Sequence, residues 1–540
     1  MKKIFFISIF LIGVFALLFF GAEYWIAYKI KNSLNTRESR NYDLVFESVD
    51  VKLLLGKVDL NHILLVPLQD NLPFELEGSM DRMKMSNVKL LEYIFKKDIE
   101  IGELRLENPS FRLIRKDSLT NVKQSSKAFQ DVFGDIIRRG IIRNFVVEGG
   151  NAELLMKGDS LRRFGSFTDL TIYAEGIETD SVLVTNMVPF QLDKIRTGVK
   201  NLRIRLSDKQ EFKVGEVDFN YSESYLSLHD ISLKFDDEIL DYSHQLDYQA
   251  DLFEIGIKEV RFDQLDTTSD VYGNWSVISH KMLIDSLVMV DLRNKNKVRG
   301  DDEQKPMFAG MLSRIPFPLD IDSLEIRNSK FTYIEIPEGN QVGGEILFDQ
   351  LNAKVAGLIT IDSLQKQNHL TMDVKADFMG ISPVSAHFIV PYNQEYFSLD
   401  LDVSRINLSE LNPILLPLAN ISIESGTMRR LRLNMDSREN SAYSTVEFDY
   451  EDLKLEIRKP GQLRGQKHGT ASFLANIAIR SDNIPGKNNH RIARFHSTRN
   501  QYRGPFNFIW ETTKTGLMDI TPGGVVKLLS GRGKDFKKGD

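Results

Sequence analysis

Apolar residues in this chain recur at every second position. The stretch 42–66, YDLVFESVDVKLLLGKVDLNHILLV, alternates throughout, with Gly56 placed as a turn. The same alternation runs through NLRIRL (201–206), YLSLHDISLKF (225–235), FSLDLDV (397–403) and STVEFDYEDLKLEI (444–457). A strand turns successive side chains to opposite faces, so this period predicts half-buried antiparallel strands. No strand–helix–strand rhythm is visible, and no long helical pattern follows the N-terminus. Two short helices are predicted. In 125–140, Phe129, Val132, Phe133, Ile136 and Ile137 form one apolar stripe ahead of Gly140. Phe308, Met311, Leu312 and Ile315 form a second, stopped by Pro316.

One strand unit is written more than once. EIGELRLENPSFRL (100–113), IIRNFVVEGGNAEL (141–154) and DIDSLEIRNSKFTY (320–333) each place two apolar pairs around a polar or glycine break. The breaks Asn108-Pro109, Gly149-Gly150 and Asn328-Ser329 are expected to be bends or bulges. An offset of 179 residues carries Ile142, Phe145, Val147, Ala152 and Leu154 onto Ile321, Leu324, Ile326, Phe331 and Tyr333. The same offset carries the first short helix onto the second, and FTDLTIYAEGI (167–177) matches FDQLNAKVAGL (348–358) two residues later. A duplicated helix–strand–strand module accounts for one offset kept through all three elements, and points to a repetitive stack. The competing architecture is a string of β-sandwich domains.

The N-terminus adds a membrane expectation. Residues 4–22 are uncharged and almost wholly apolar, and at about 1.5 Å per residue they span a hydrocarbon layer. Phe5, Phe6, Ile12, Leu17, Leu18, Phe19 and Phe20 would face lipid, and Tyr24, Trp25 and Tyr28 would form the interfacial belt. A cleaved signal peptide is the alternative, but its apolar region is shorter and a small-residue cleavage site should follow it. Residues 1–3 are then cytoplasmic, 23–41 juxtamembrane, and the body lies outside the cytoplasm.

Composition and charge narrow the chemistry. The chain has 540 residues and a net charge of −6, which gives no reason to expect a nucleic-acid partner. The absence of cysteine excludes disulfides, thiolate metal sites and a cysteine nucleophile. No nucleophile elbow, phosphate loop or His-Glu-x-x-His motif is present. The nine histidines are scattered, so no metal site, cofactor or catalytic set is expected. His490, Arg491, Arg494, His496, Arg499 and Arg503 form the densest polar cluster, for which a solvated strand face is favoured over a phosphate site. The acidic run 236–238 is expected in a loop, and 293–306 as an exposed linker. The basic tail 521–540 is a candidate contact with an anionic membrane or a protein.

The anchor with YDLVFESVDVKLLLGKVDLNHILLVP, the recurring LRLENPSFRL unit, and the stretch 397–457 together resemble the AsmA-like (AsmA/TamB-type) family of the bridge-like lipid-transfer superfamily. The resemblance implies a mainly β fold: an N-terminal transmembrane helix followed by an elongated, curled antiparallel sheet forming a groove, with a few short helices. It implies an inner-membrane protein with a periplasmic body that binds phospholipid or other acyl-chain lipid and aids lipid transport or envelope homeostasis, with envelope protein partners. The expected segments are a first groove segment (42–124), repeat modules at 125–300 and 301–396, and an AsmA-like C-terminal region at 397–520. The expected groove lining is Leu104, Leu106, Phe111, Phe145, Val147, Leu154, Leu324, Ile326, Phe331 and Tyr333. The alternative function is a non-transporting scaffold or assembly factor whose apolar residues only fill closed cores.

Overall fold

The structure is a computed structural model and describes residues 21–28, 42–68, 74–89, 98–116, 139–158, 161–180, 191–266, 276–300, 303–457 and 479–522. The expected span at 4–22 and the expected helix at 125–140 lie largely outside these residues. Among the described residues no helix is long and apolar enough to cross a membrane. The protein is mainly β and divides into two compact units, Met1–Asp230 with Thr267–Trp275, and Ile231–Asp266 with Ser276–Asp540.

The first unit holds β1 (Tyr42–Lys52), β2 (Lys57–Pro67), β3 (Phe74–Ser86), β4 (Asp98–Glu107), β5 (Ser110–Lys116), β6 (Arg139–Lys157), β7 (Leu161–Asp180), β8 (Lys194–Ser207) and β9 (Gln210–Asn220). Gly56, at φ 55°, turns β1 into β2 after the 3-10 turn Leu53–Leu55. Strands β1 to β3 form an antiparallel meander. Strand β3 then pairs with both β4 and β5, and β6 to β9 are again antiparallel. Strand β10 (Tyr225–Phe235) contains the boundary between the units.

The second unit continues with β11 (Asp251–Leu265), β12 (Val277–Asn294), β13 (Leu319–Ile336), β14 (Gly344–Ile359), β15 (His369–Phe378), β16 (Ser382–Pro391) and β17 (Phe397–Val403). The short β18 (Ile406–Asn407), then β19 (Ile421–Ser437), β20 (Ser441–Ile457) and β21 (Ala493–Thr498), complete it. The segment expected as a linker from 293 begins inside β12, and Val298 bridges Tyr248.

The expectation of a purely antiparallel sheet is corrected. Strand β6 runs parallel to β4 and β5, and β13 runs parallel to β12. Parallel neighbours need a crossover of a dozen or more residues. The connection from β12 to β13 supplies one and carries the helix Phe308–Leu312. That helix is held by buried aromatic edges: the Phe308 ring lies 5.1 Å from Phe397 and 5.7 Å from Phe388. Glu395 Oε2 accepts the Met307 N–H at 2.9 Å.

The repeated unit acquires a geometric meaning here. The first two copies are parallel neighbours, with Leu104 beside Phe145, Leu106 beside Val147, and Phe111 beside Ala152. Their breaks also lie side by side. Asn108 has φ 50° and Gly149 φ 68°, and the Asn108 N–H donates to Glu148 O at 2.8 Å. The second unit repeats this with Ser286 on β12 (φ 56°) and Asn328 on β13 (φ 50°). Asp169 and Gly176 on β7 likewise match Gln350 and Gly357 on β14, all at positive φ. The duplication thus extends to the left-handed residues of the bulges. Asn328 is fixed there by its Nδ2 donating to Asp285 Oδ1 at 3.0 Å and its N–H donating to Asn352 Oδ1 at 3.2 Å. Asparagine tolerates this conformation, whereas a β-branched residue does not. Asn328→Val is therefore expected to lower stability by about 1–2 kcal/mol, and Asn328→Gly to lower it less, as measured by thermal unfolding.

Four described helices were not predicted from the apolar pattern: the short Ile239–Gln245 and Asp362–Gln365, and the longer Asn412–Ala419 and Pro505–Ile520. Asn412–Ala419 packs against β13, β14 and β19, and Pro505–Ile520 packs against β20 and β21. The buried residues of the longer helix are Pro505, Phe508, Thr512, Thr513, Gly516 and Ile520. Between Phe508 and Ile520 that stripe is made of Thr512, Thr513 and Gly516, so the period of 3.6 is hidden from a hydrophobic reading. The expectation of no long helix after the N-terminus is corrected accordingly.

Candidate functional site

The candidate site is the apolar face of the sheet in each unit. Residues paired across neighbouring strands share a face, so register converts the alternating pattern into rows. In the first unit Val51, Val58, Met85, Leu104, Phe145, Ala174 and Ile195 are successive cross-strand partners from β1 to β8. A second row runs through Val49, Leu60, Met83, Leu106, Val147 and Ile172. Beyond the bulges, Leu76, Leu113 and Leu154 form a third, and Leu65, Gly78, Phe111, Ala152 and Phe167 a fourth. The bulges keep these rows on one face although Leu106 and Phe111 are an odd number of residues apart. The residues between the rows are mostly charged and pair across strands, as in Arg105–Glu148 at 2.7 Å and Arg143–Glu100 at 2.8 Å.

The second unit repeats the arrangement. Phe262, Met282, Leu324, Val355, Met372, Phe388, Leu399 and Met435 are successive partners from β11 to β19. Val260, Ile284, Ile326, Ala353, Val374, Ala386, Leu401, Leu433, Val446 and Ala493 form the adjacent row, reaching β21. The row on the opposite face, between them, is polar: Glu325, Lys354, Asp373, His387, Asp400, Asn434, Thr445 and Arg494.

Exposure differs along the apolar rows. Leu104, Leu106, Phe111, Phe145, Leu154, Ile326, Phe331 and Tyr333 are half-buried, while Val147 and Leu324 are buried. Towards the C-terminus the face closes. Leu433 and Val446 are 0 % exposed, and the helix Pro505–Ile520 packs on β20 and β21. Helix and strand approach so closely that a Cβ on Gly516 would lie 2.4 Å from a Val446 methyl.

The Phe331 and Tyr333 end of the face carries chemistry that alternation did not reveal. Phe331 stacks on Phe348 with ring centres 6.4 Å apart, and the Phe378 ring lies tilted against Phe348 at 5.6 Å. One position along, Tyr333 is paired with Asp291, and Asp291 with Phe253. Burial, reinforced by the Asp251 carboxylate and opposed by Arg293, pushes the Asp291 carboxyl up to about 7. Its Oδ1 and the Nε of Arg293 are buried without a partner, although Arg293 reaches Asp251 at 3.2 Å. The Tyr333 hydroxyl donates to Glu335 Oε2 at 2.9 Å, and burial raises it above the usual phenol range. Asp291 was missed because an aspartate in an alternating strand is ordinarily assigned to the polar face.

The arginine–histidine cluster divides: Arg494 and His496 lie exposed on the polar face of β21, as expected, whereas Arg499, Arg491 and His490 are drawn into the fold. Arg499 is 7 % exposed and donates to the carbonyl of Lys305 and to those of Glu439 and Arg503, the last two at 3.2 Å. Arg491 donates to Pro522 O at 2.6 Å, and His490 Nε2 meets Asp449 at 2.8 Å. Arg491 and Arg499 are thus engaged with backbone carbonyls and His490 with a β20 carboxylate, which leaves little of their charge for a phosphate.

Of the residues expected in the anchor, Phe5, Phe6, Ile12, Leu17, Leu18, Phe19 and Phe20 lie outside the described residues, and Trp25 is described. It lies in the helical stretch 21–28, beside exposed Tyr24 and Tyr28. Among the described residues no group of three or more His, Asp and Glu is placed to hold a metal ion. Comparison with known proteins returns neither a matching family model nor a matching curated protein.

Proposed function

We propose that this chain is a membrane-anchored protein of the bacterial envelope that holds lipid acyl chains against its apolar sheet face and aids lipid traffic between membranes or envelope homeostasis. The observation that carries this reading is the alignment of half-buried apolar side chains into rows, through two bulges and a duplicated module. Acyl chains gain about 0.8 kcal/mol per buried CH₂ and require no directional contacts, so such a surface suffices to hold them. The anchor reading of residues 4–22 and the resemblance to AsmA-like proteins support the same conclusion.

A second reading, a scaffold with a closed core, is favoured at one place. Around Leu433 and Val446 the rows are sealed. The two readings separate by crosslinking. Photoreactive residues at Leu104, Leu106, Phe145 and Ile326 are expected to capture phospholipid in intact cells, and those at Leu433 and Val446 to capture none. Extraction followed by lipid mass spectrometry should find phospholipid with the purified chain. Failure of all four half-buried positions to capture lipid, with none co-purifying, would leave the scaffold as the function.

A further inference from the structure

The tip of the β1–β2 hairpin has the wrong composition for water. It reads Lys52-Leu53-Leu54-Leu55-Gly56-Lys57, and Leu54 and Leu55 are 82 % and 57 % exposed. Their neighbours Val51 and Val58 are buried, at 8 % and 2 %. Tight turns are ordinarily polar, so two uncovered leucines at a tip call for a non-aqueous surrounding.

The tip is also fastened to the helical stretch 21–28. The Leu53 N–H donates to Glu23 Oε1 at 2.9 Å. Ile26, 5 % exposed, packs in one cluster with Phe46, Val58, Leu60 and Leu53. The same helix turns Tyr24 and Trp25 outward, at 77 % and 48 % exposure. Glu23 directly follows the apolar segment 4–22, and a helix rises only about 1.5 Å per residue. The tip is therefore tied to the chain within a few Å of where that segment ends.

We propose that the Leu53–Leu55 tip inserts into the surface of a lipid bilayer beside residues 21–28, so that the first unit is seated on the membrane through two attachments. This rests on the reading of 4–22 as a membrane anchor. The occupant is lipid, because the surroundings are those of an interface. Tyrosine and tryptophan prefer the headgroup level. Exposed Lys52 and Lys57 flank the leucines, where their ammonium groups can reach anionic headgroups while their stems stay apolar. Seating of this kind would hold the start of the apolar rows, Val49 and Val51, next to the membrane.

The chain has no cysteine, which makes the test direct. Single variants Leu54→Cys, Leu17→Cys and Val342→Cys carry an environment-sensitive fluorophore. The full chain is reconstituted into phosphatidylcholine–phosphatidylglycerol vesicles with brominated acyl chains. The label at 54 is expected to be quenched at a depth of roughly 5–10 Å, while the label at 342, an exposed valine of the second unit, is not. Quenching at 17 but not at 54 would overturn the seated tip and leave the anchor standing. Quenching at 54 but not at 17 would support the tip and overturn the anchor. Quenching at neither would overturn both. A label at 54 that is shielded from water yet untouched by brominated lipid would place a protein or a second copy on the tip, and would also overturn the proposal.

Discussion

Asp291→Asn is expected to stabilise the protein at pH 8 and to change it little at pH 4. The carboxyl lies on the apolar face between Phe253 of β11 and Tyr333 of β13, with Asp251, Arg293 and Glu335 as the charged groups of the next row. Burial raises its folded pKa to about 7 from an ordinary value of 3.8. A raised acid binds its proton more tightly folded than unfolded, so the native chain loses stability as pH rises from about 4 to about 7. Asparagine has the same shape and cannot ionise, so that loss disappears. The site is partly open to solvent, which reduces the effect to about 1–2 kcal/mol at pH 8. Denaturant unfolding of both proteins across this range measures it; equal pH dependence of the two would show that Asp291 stays ionised. The same proton matters to the proposed function. A neutral Asp291 leaves the Phe331–Tyr333 end of the face acceptable to acyl chains, whereas a charged one makes it polar.

Gly516→Leu is expected to destabilise the second unit by about 3 kcal/mol, through overpacking. A Cβ at this position would meet three side-chain atoms of Val446 at 2.4–2.9 Å, and Val446 has no exposed surface into which to retreat. Even Gly516→Ala is expected to lower the melting temperature, although alanine is the better helix former. Val446→Ala in the same chain should restore part of the loss, because the two residues share one contact. Circular dichroism and Trp510 fluorescence follow both. A Gly516→Ala variant as stable as the native chain would mean that the helix sits further from β20.

The two changes also show where the sequence was legible. The strands at 42–66, 201–206, 225–235, 397–403 and 444–457, the turn at Gly56 and the breaks at Asn108, Gly149 and Asn328 were readable, because each is a local matter of alternation or of backbone conformation. The aligned rows were partly readable too. Leu104, Phe145 and Leu324 repeat the same pattern because each must present an apolar side chain at the same level of its sheet. The likeness between 100–113 and 141–154 even held the answer to their pairing, since residues 41 apart are neighbours in the parallel ladder. Alternation alone is silent on this point, because parallel and antiparallel partners impose the same period on a half-buried strand.

By itself the sequence determined the strand character of its alternating stretches, such as 42–66, 225–235 and 444–457, and the offset that relates 141–154 to 320–333, both legible through the two-residue period of the extended chain. Three features were decided only by tertiary structure. The direction of β6 and β13 follows from crossovers whose ends are far apart in sequence. The company of Asp291 follows from register with β11 and β13, which brings a carboxylate among aromatic rings. The closing of the face at Val446 follows from a helix whose buried stripe contains Thr512 and Gly516. In each case the deciding interaction joins residues distant along the chain, and close packing, which admits a glycine where a larger side chain would collide, leaves no hydrophobic period to announce it.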